Sequence, residues 1–329
     1  MITTNQIIEK IKNAKNIAIF AHRNPDPDAC ASMFALEDLC QKLGKNGQIF
    51  VAKREENYLD KIFPLSKTRA DFNVCEFDLI MFVDMHQTMR LDKNLVPDAD
   101  NVFKKAQNLV IVDHHVVQKD DIIPTEDYYI RVEASCSQLI LELFQAAHIT
   151  PSKQVCTYLY AGLMGDTNRF LNTNLNLNVF NCASYLMQNG ADIQFVYDFM
   201  YRYKTKEELA VYKYYLDHIH FACDGRCAFV TFSKETQRKL GVTIEDIKSL
   251  AGELILIKGV EVTFLIIEYF DGVYKFSLRC LQDHAVDGFC AKHGGGGHRN
   301  ASGFEAEITP AQIEEVVPKW ADEILNDKI

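Results

Sequence analysis

The chain has 329 residues, of which 48% are hydrophobic and 24% charged, and its formal net charge is −10. That length exceeds what one core usually organises, so two domains are expected, and the apolar content excludes a disordered chain. The negative balance excludes broad counterion-releasing attachment to duplex nucleic acid, while a small anion can still be held at a locally cationic centre.

The ten cysteines, at 30, 40, 75, 136, 156, 182, 223, 227, 280 and 290, form no CxxC pair. A zinc ribbon or thioredoxin-like motif is therefore not expected, and reduced thiols are. Residues 1–20 lack a basic-apolar-small leader pattern, and the longest apolar stretch, Val262–Phe270, is interrupted by Glu268 and too short for a bilayer. A cytoplasmic protein without a membrane anchor is the expectation.

In chain order, the strand-like run Asn16–Ala21 (NIAIFA) leads into His22, and AHRNPDPDACAS then places His22, Asp26 and Asp28 in an HxxxDxD pattern stiffened by Pro25 and Pro27. Two carboxylates one residue apart, with an imidazole, suit neighbouring cations. The plainer reading is a solvated turn whose Asp28 caps a helix starting near Ala29. Phe77–Val83 leads into Asp84, and Asn108–Val112 into Asp113, His114 and His115. Three adjacent ionisable residues at a strand end are hard to explain as packing; one histidine can bind a metal while Asp113 orients a ring from behind. Asp166 follows a further apolar segment in AGLMGDTNRF.

Strand-like runs alternating with amphipathic helical segments predict an α/β fold, a mostly parallel sheet flanked by helices. Polar residues at the carboxyl ends of such strands converge on one site. Six candidate ligands, His22, Asp26, Asp28, Asp84, His114 and Asp166, exceed a tetrahedral zinc site and suit two octahedral ions sharing a carboxylate. Mixed imidazole and carboxylate donors favour two Mn2+ ions, with Mg2+ or another divalent ion the alternative.

Residues 191–220 read as a helical linker, separating a first domain, 1–190, from a smaller α+β domain, 221–329. In the latter, Val262–Phe270 and Val273–Cys280 flank Asp271-Gly272, a hairpin signature. The run Gly294, Gly295, Gly296 and Gly297 lies between His293 and His298-Arg299, with Arg279 on the adjacent strand. Such glycines let backbone amides approach a phosphate, and the flanking cations can grip it.

The set HRNPDPD, VDMHQ, VDHH and GDTNRF resembles the four motifs of the DHH phosphoesterases, and AKHGGGGHRNASGF at 291–304 looks like the signature of the DHH-associated domain of oligoribonucleases and pAp phosphatases. Together they cover nearly the whole chain. The resemblance implies one metal held by His22, Asp26 and a bridging Asp84, and another by Asp28, Asp84, His114 and Asp166. It implies catalytic roles for Asp84, for Asp113 as a support, and for His115 beside the substrate phosphate. It further implies substrate contacts from Arg279, Gly294–Gly297, His298, Arg299 and Ser302 in the second domain. Metal-assisted hydrolysis of short single-stranded RNA (nanoRNA) and of 3′-phosphoadenosine 5′-phosphate (pAp) is the expected activity, with a homodimer expected from the resemblance. Cyclic di-AMP or pApA hydrolysis is the nearest alternative; a catalytically silent nucleotide-binding regulator is the alternative from another class. The chain departs from the usual pattern at ACAS, where relatives often have glycine before the serine, and at Asn168, where many have glycine.

Overall fold

The computed structural model describes residues 1–53, 58–104, 106, 108–115, 117, 123, 125–171, 175–202, 204–281 and 283–326. The chain divides into two compact units, Met1–Arg202 and Tyr203–Ile329.

The first unit is built on β1 (Asn16–Phe20), β2 (Asn46–Phe50), β3 (Leu79–Val83), β4 (Leu109–Asp113) and β5 (Tyr128–Ile130), in the order β2-β1-β3-β4-β5. Every pairing is parallel. The near-continuous apolar sequences of β3 and β4 follow, because a parallel sheet is covered on both faces. Ile17, Ile19, Met81, Val83, Val110 and Val112 face the helices Thr4–Asn13, Pro27–Lys42, Cys136–Ala146 and Lys153–Asp166. Ala18, Phe20, Ile80, Phe82 and Ile111 face a second layer with Phe50, Leu95 and Phe103. Since β1 is followed on one side by β2 and on the other by β3, the connections diverge between β1 and β3. Their carboxyl ends therefore flank the crevice where ligands collect in such sheets.

The second unit holds β6 (His220–Ala222), β7 (Cys227–Phe232), β8 (Val262–Phe270), β9 (Val273–Cys280), β10 (Gly296–His298) and β11 (Ala301–Glu307), ordered β10-β11-β9-β8-β7-β6. β7 and β8 are parallel and the other neighbours antiparallel. The expected hairpin is β8–β9, whose turn needs Gly272 at φ +76°. The helix Pro310–Asn326 covers one face through Ile313, Val317 and Ala321.

The division after Arg202 differs from the expected boundaries at 190 and 221. The helix Lys206–His218 packs Val211 and Tyr215 into the core formed by Ala228, Val230, Leu265 and Ile267, so its apolar stripe belongs to the second unit. Charge along this segment suggested a solvated connector, but two buried side chains at i and i+4 suffice to dock a helix. No helix among the described residues is long and apolar enough to cross a membrane.

Candidate active site

Six side chains from four chain segments meet at the carboxyl ends of β1, β3 and β4. His22 follows β1, and the turn after it ends at Asp26, which caps the helix Pro27–Lys42 by accepting from the amides of Asp28 (2.9 Å) and Ala29 (3.0 Å). The cap is therefore Asp26 and not Asp28, because Pro27 takes the first helical position, where its missing N–H costs nothing. Asp28 turns inward instead and is completely buried. It accepts from the amides of Cys136 (2.6 Å) and Ser137 (3.0 Å) and from the Ser137 hydroxyl (2.5 Å). These are free donors at the N-terminus of the helix Cys136–Ala146, where a carboxylate is favoured.

Gly162 makes that arrangement possible. A Cβ there would lie 2.2 Å from Ser137 Oγ and 2.7 Å from Asp28 Oδ1. One turn on, Gly165 lets the helix Lys153–Asp166 rest against Pro27 and delivers Asp166 from its last residue.

Asp84 leaves β3 in the left-handed region, φ 57°, with its amide still donating to Val112 O (3.0 Å). That conformation is uncommon for a non-glycine residue and clusters at functional sites. His22 Nε2 lies 3.5 Å from Asp84 Oδ2 and 3.7 Å from Asp26 Oδ2. His114 donates from Nδ1 to the carbonyl of Glu133 (3.1 Å), which turns Nε2 toward Asp84 Oδ1 (3.1 Å), Asp166 Oδ2 (3.1 Å) and Asp28 Oδ2 (3.9 Å). The two oxygens of Asp84 thus look at two different imidazoles. Ligand atoms of His22, Asp26 and Asp84 lie within 4.8 Å of one another, as do those of Asp28, His114 and Asp166.

Asp113, also completely buried, accepts from the amide of His114 (2.8 Å) and from Nδ1 of His115 (2.7 Å), and its other oxygen meets His86 Nδ1 in a short contact. His115 Nε2 is then left facing Arg90 Nη1 at 3.4 Å.

The electrostatics are those of crowded like charges. Burial, then Asp166 and Asp84, push the Asp28 carboxyl well above its usual range; burial with Asp26 and Asp84 raises Asp166 to about 6. Burial acts the same way on Asp84, but His114 and His22 overcome it and hold Asp84 well below the usual range. Burial disfavours a charged His22, yet Asp26 and Asp84 push it up to about 10. His115 and His86 keep Asp113 low against its burial. Among the described residues, the buried Asp84 Oδ1 and His114 Nε2 make no aligned hydrogen bond despite their proximity.

The second-unit candidates fall into one neighbourhood. Ala301 pairs with both His298 and Arg279, so these three align across β10, β11 and β9. The side chain of His298 lies outside the described residues. Arg279 is partly covered, and burial lowers its pKa from the ordinary guanidinium value. Arg299 is exposed at the β10–β11 turn, whereas Ser302 sits on the opposite face with Leu278 and is 5% exposed.

The glycine run is partly taken up by regular backbone pairing. Gly294 and Gly295 donate to Ala291 O (3.0 Å) and Cys290 O (2.9 Å), closing the end of the helix Asp287–Lys292, and Gly296–His298 form an edge strand. Gly297, at φ 146°, lies so close to β11 that a Cβ would come within 2.6 Å of Ala301 O.

Sequence reasoning missed His86, Arg90, Ser137 and Gly162. His86 stood in the quoted VDMHQ and follows Asp84 by two residues, which was signal enough to consider it; the others left no trace in spacing. At Asn168 the chain is left-handed, φ 45°, a conformation that glycine takes freely and asparagine tolerates.

Residues 16–163 match the model of the DHH family, N-terminal domain. It is similar over 97% of its length to the bifunctional oligoribonuclease and PAP phosphatase NrnA of Mycoplasma genitalium, at 27% identity and covering 97% of that protein. It is 25% identical to the cyclic-di-AMP phosphodiesterase GdpP of Geobacillus thermodenitrificans, covering 95% of this chain and 48% of that one. Among solved structures, an exopolyphosphatase-related protein of Bacteroides fragilis superposes with a TM-score of 0.87 at 22% identity, over 97% of this chain and 95% of the other.

Proposed function

We propose that this chain hydrolyses short oligoribonucleotides and pAp to mononucleotides, using two divalent ions, preferably manganese, at the carboxylate–imidazole cluster. The class, a phosphoester hydrolase, rests on the DHH domain and on relatives matched over nearly their full length. The single observation that carries the metal reading is Asp84, whose two oxygens face His22 and His114 within two separate ligand sets.

The donor set fits divalent cations. Buried Asp84 Oδ1 and His114 Nε2 lack aligned partners among the described residues, and the burial and repulsion that raise Asp28 and Asp166 are what a cation offsets. His22, Asp26 and Asp84 would hold one ion; Asp28, Asp84, His114 and Asp166 the other. When bound, such ions supply Lewis acidity and neutralise charge on a phosphoryl group.

The chain's own residues do the positioning. The Glu133 carbonyl fixes the His114 tautomer so that Nε2 is the available donor atom. Asp113 accepts the Nδ1 proton of His115, fixing a ring whose Nε2, when it also carries a proton, can donate to a non-bridging phosphate oxygen. Three donors on Asp28 hold its carboxylate in one orientation.

Similarity to the cyclic-di-AMP phosphodiesterase favours one second reading, a cyclic or linear dinucleotide as substrate. Metal-depleted protein assayed on pAp, pApA, cyclic di-AMP and an RNA pentamer, with each divalent ion added back, separates the two. Preferential turnover of pAp and short RNA with manganese supports the proposal; turnover confined to cyclic di-AMP favours the second reading.

A further inference from the structure

Arg90 ends a short turn, Thr88–Arg90, after β3. Its carbonyl accepts from the amide of Arg23 (2.7 Å), which ties the chain following Asp84 to the chain following His22. The guanidinium is partly covered and reaches His115 Nε2 at 3.4 Å. Five aspartates crowd the centre beside it, yet among the described residues none pairs with Arg90; its one polar side-chain contact is that imidazole. A guanidinium held by its backbone beside an acidic centre, without a carboxylate of its own, is available to an incoming anion, and its planar fork matches two oxygens of one phosphate.

We propose that Arg90 contacts the scissile phosphate and sets the preference of this site for phosphomonoesters over phosphodiesters, an inference that rests on the hydrolytic reading above. A monoester carries three non-bridging oxygens and about two negative charges near neutral pH. Even with one oxygen shared by a protonated His115 and the ions, a monoester offers the Arg90 fork a pair of oxygens. A diester carries two non-bridging oxygens and one charge, so the fork must share an oxygen with His115 and meets less charge.

The test compares pAp with pApA, which share an adenosine and a 5′-phosphate and differ in whether the 3′-phosphate is further esterified. Steady-state kcat and KM are measured for wild type, R90Q and R90K, with folding checked by thermal unfolding. R90Q retains the backbone bond to Arg23, so its fold is expected to survive. It should lower kcat/KM for pAp about 30-fold and for pApA less than about 5-fold, the range expected for losing a bidentate charged contact against a single one. R90K, which keeps the charge but not the fork, should fall between wild type and R90Q on pAp. Equal losses on both substrates, or a pAp-to-pApA ratio in R90Q within about 2-fold of wild type, overturn the role of Arg90. Wild type that turns over neither compound overturns the hydrolytic reading itself, and this assignment with it.

Discussion

The carboxylate cluster of the first unit and the glycine-rich edge of the second hold charge in opposite ways. In the cluster, acids crowd beside one another and several groups are held from behind: Asp28 by Cys136 and Ser137, Asp113 by His86 and His115, His114 by Glu133. At the edge, Arg279 and Arg299 sit on a strand and a turn, and the glycines are engaged in backbone closure. A pinned, mutually repelling set is built to receive cations; a cationic rim on packed backbone is suited to an anionic ligand end. Damage to the first should therefore remove chemistry, and damage to the second should change affinity or stability.

The largest effect is expected from D84A, which removes the carboxylate facing both ligand sets. Turnover should fall at least about 1000-fold while the protein stays folded, measured by manganese-dependent hydrolysis of pAp alongside circular dichroism. G162A comes next, because its Cβ would collide with Ser137 and Asp28. It should cost about 2 kcal/mol of stability in denaturant unfolding and about 100-fold in kcat through a displaced Asp28. H86A takes one donor from Asp113 and should lower kcat about 10-fold with little change in KM, since His86 acts through Asp113 and His115.

G297A probes the other side of the comparison. The left-handed φ and the approach to Ala301 O should destabilise the protein by about 1–2 kcal/mol and raise KM, with manganese affinity unchanged. Weakened manganese binding in G297A would erase the distinction between the two regions.

The smallest effect is a pH dependence away from both. Glu261 accepts from Arg226 at 2.8 Å on each oxygen and contacts His284 at 2.8 Å, and these partners lower its pKa to about 2. A depressed carboxyl contributes stability above its unfolded value of about 4.3 and loses it as pH falls toward 2. E261Q should therefore unfold more readily than wild type at pH 6 but not at pH 2, by less than about 1 kcal/mol because the pair is partly solvated. An equal loss at both pH values would show that packing, not charge, is what Glu261 supplies.

Much of the first unit was legible in the sequence because its signals are local. β1, β3 and β4 are short apolar runs ending in acids or histidines, and each lies within a residue or two of its expected span. The pairing of Asp28 with Cys136 and Ser137 spans more than a hundred residues and has no periodicity, so neither it nor the need for Gly162 could be read. The plainer reading of this turn placed the cap at Asp28, one acid too late, because Asp26 and Asp28 are chemically equal in sequence; the proline between them decides. The structure of the glycine run was not legible for a related reason. Conformational freedom looks the same whether glycines admit a ligand or a neighbouring strand, and here β11 takes part of that space.

Asp84, with oxygens toward both His22 and His114, would take part in holding two divalent ions. Calorimetric titration of chelator-treated protein with manganese, for wild type and D84N, with pAp hydrolysis followed in the same samples, tests it most directly. The account predicts two ions per wild-type chain, hydrolysis that rises with their binding, and loss of both in D84N. Full hydrolysis by metal-depleted wild type, or two-ion binding with normal turnover in D84N, would contradict it.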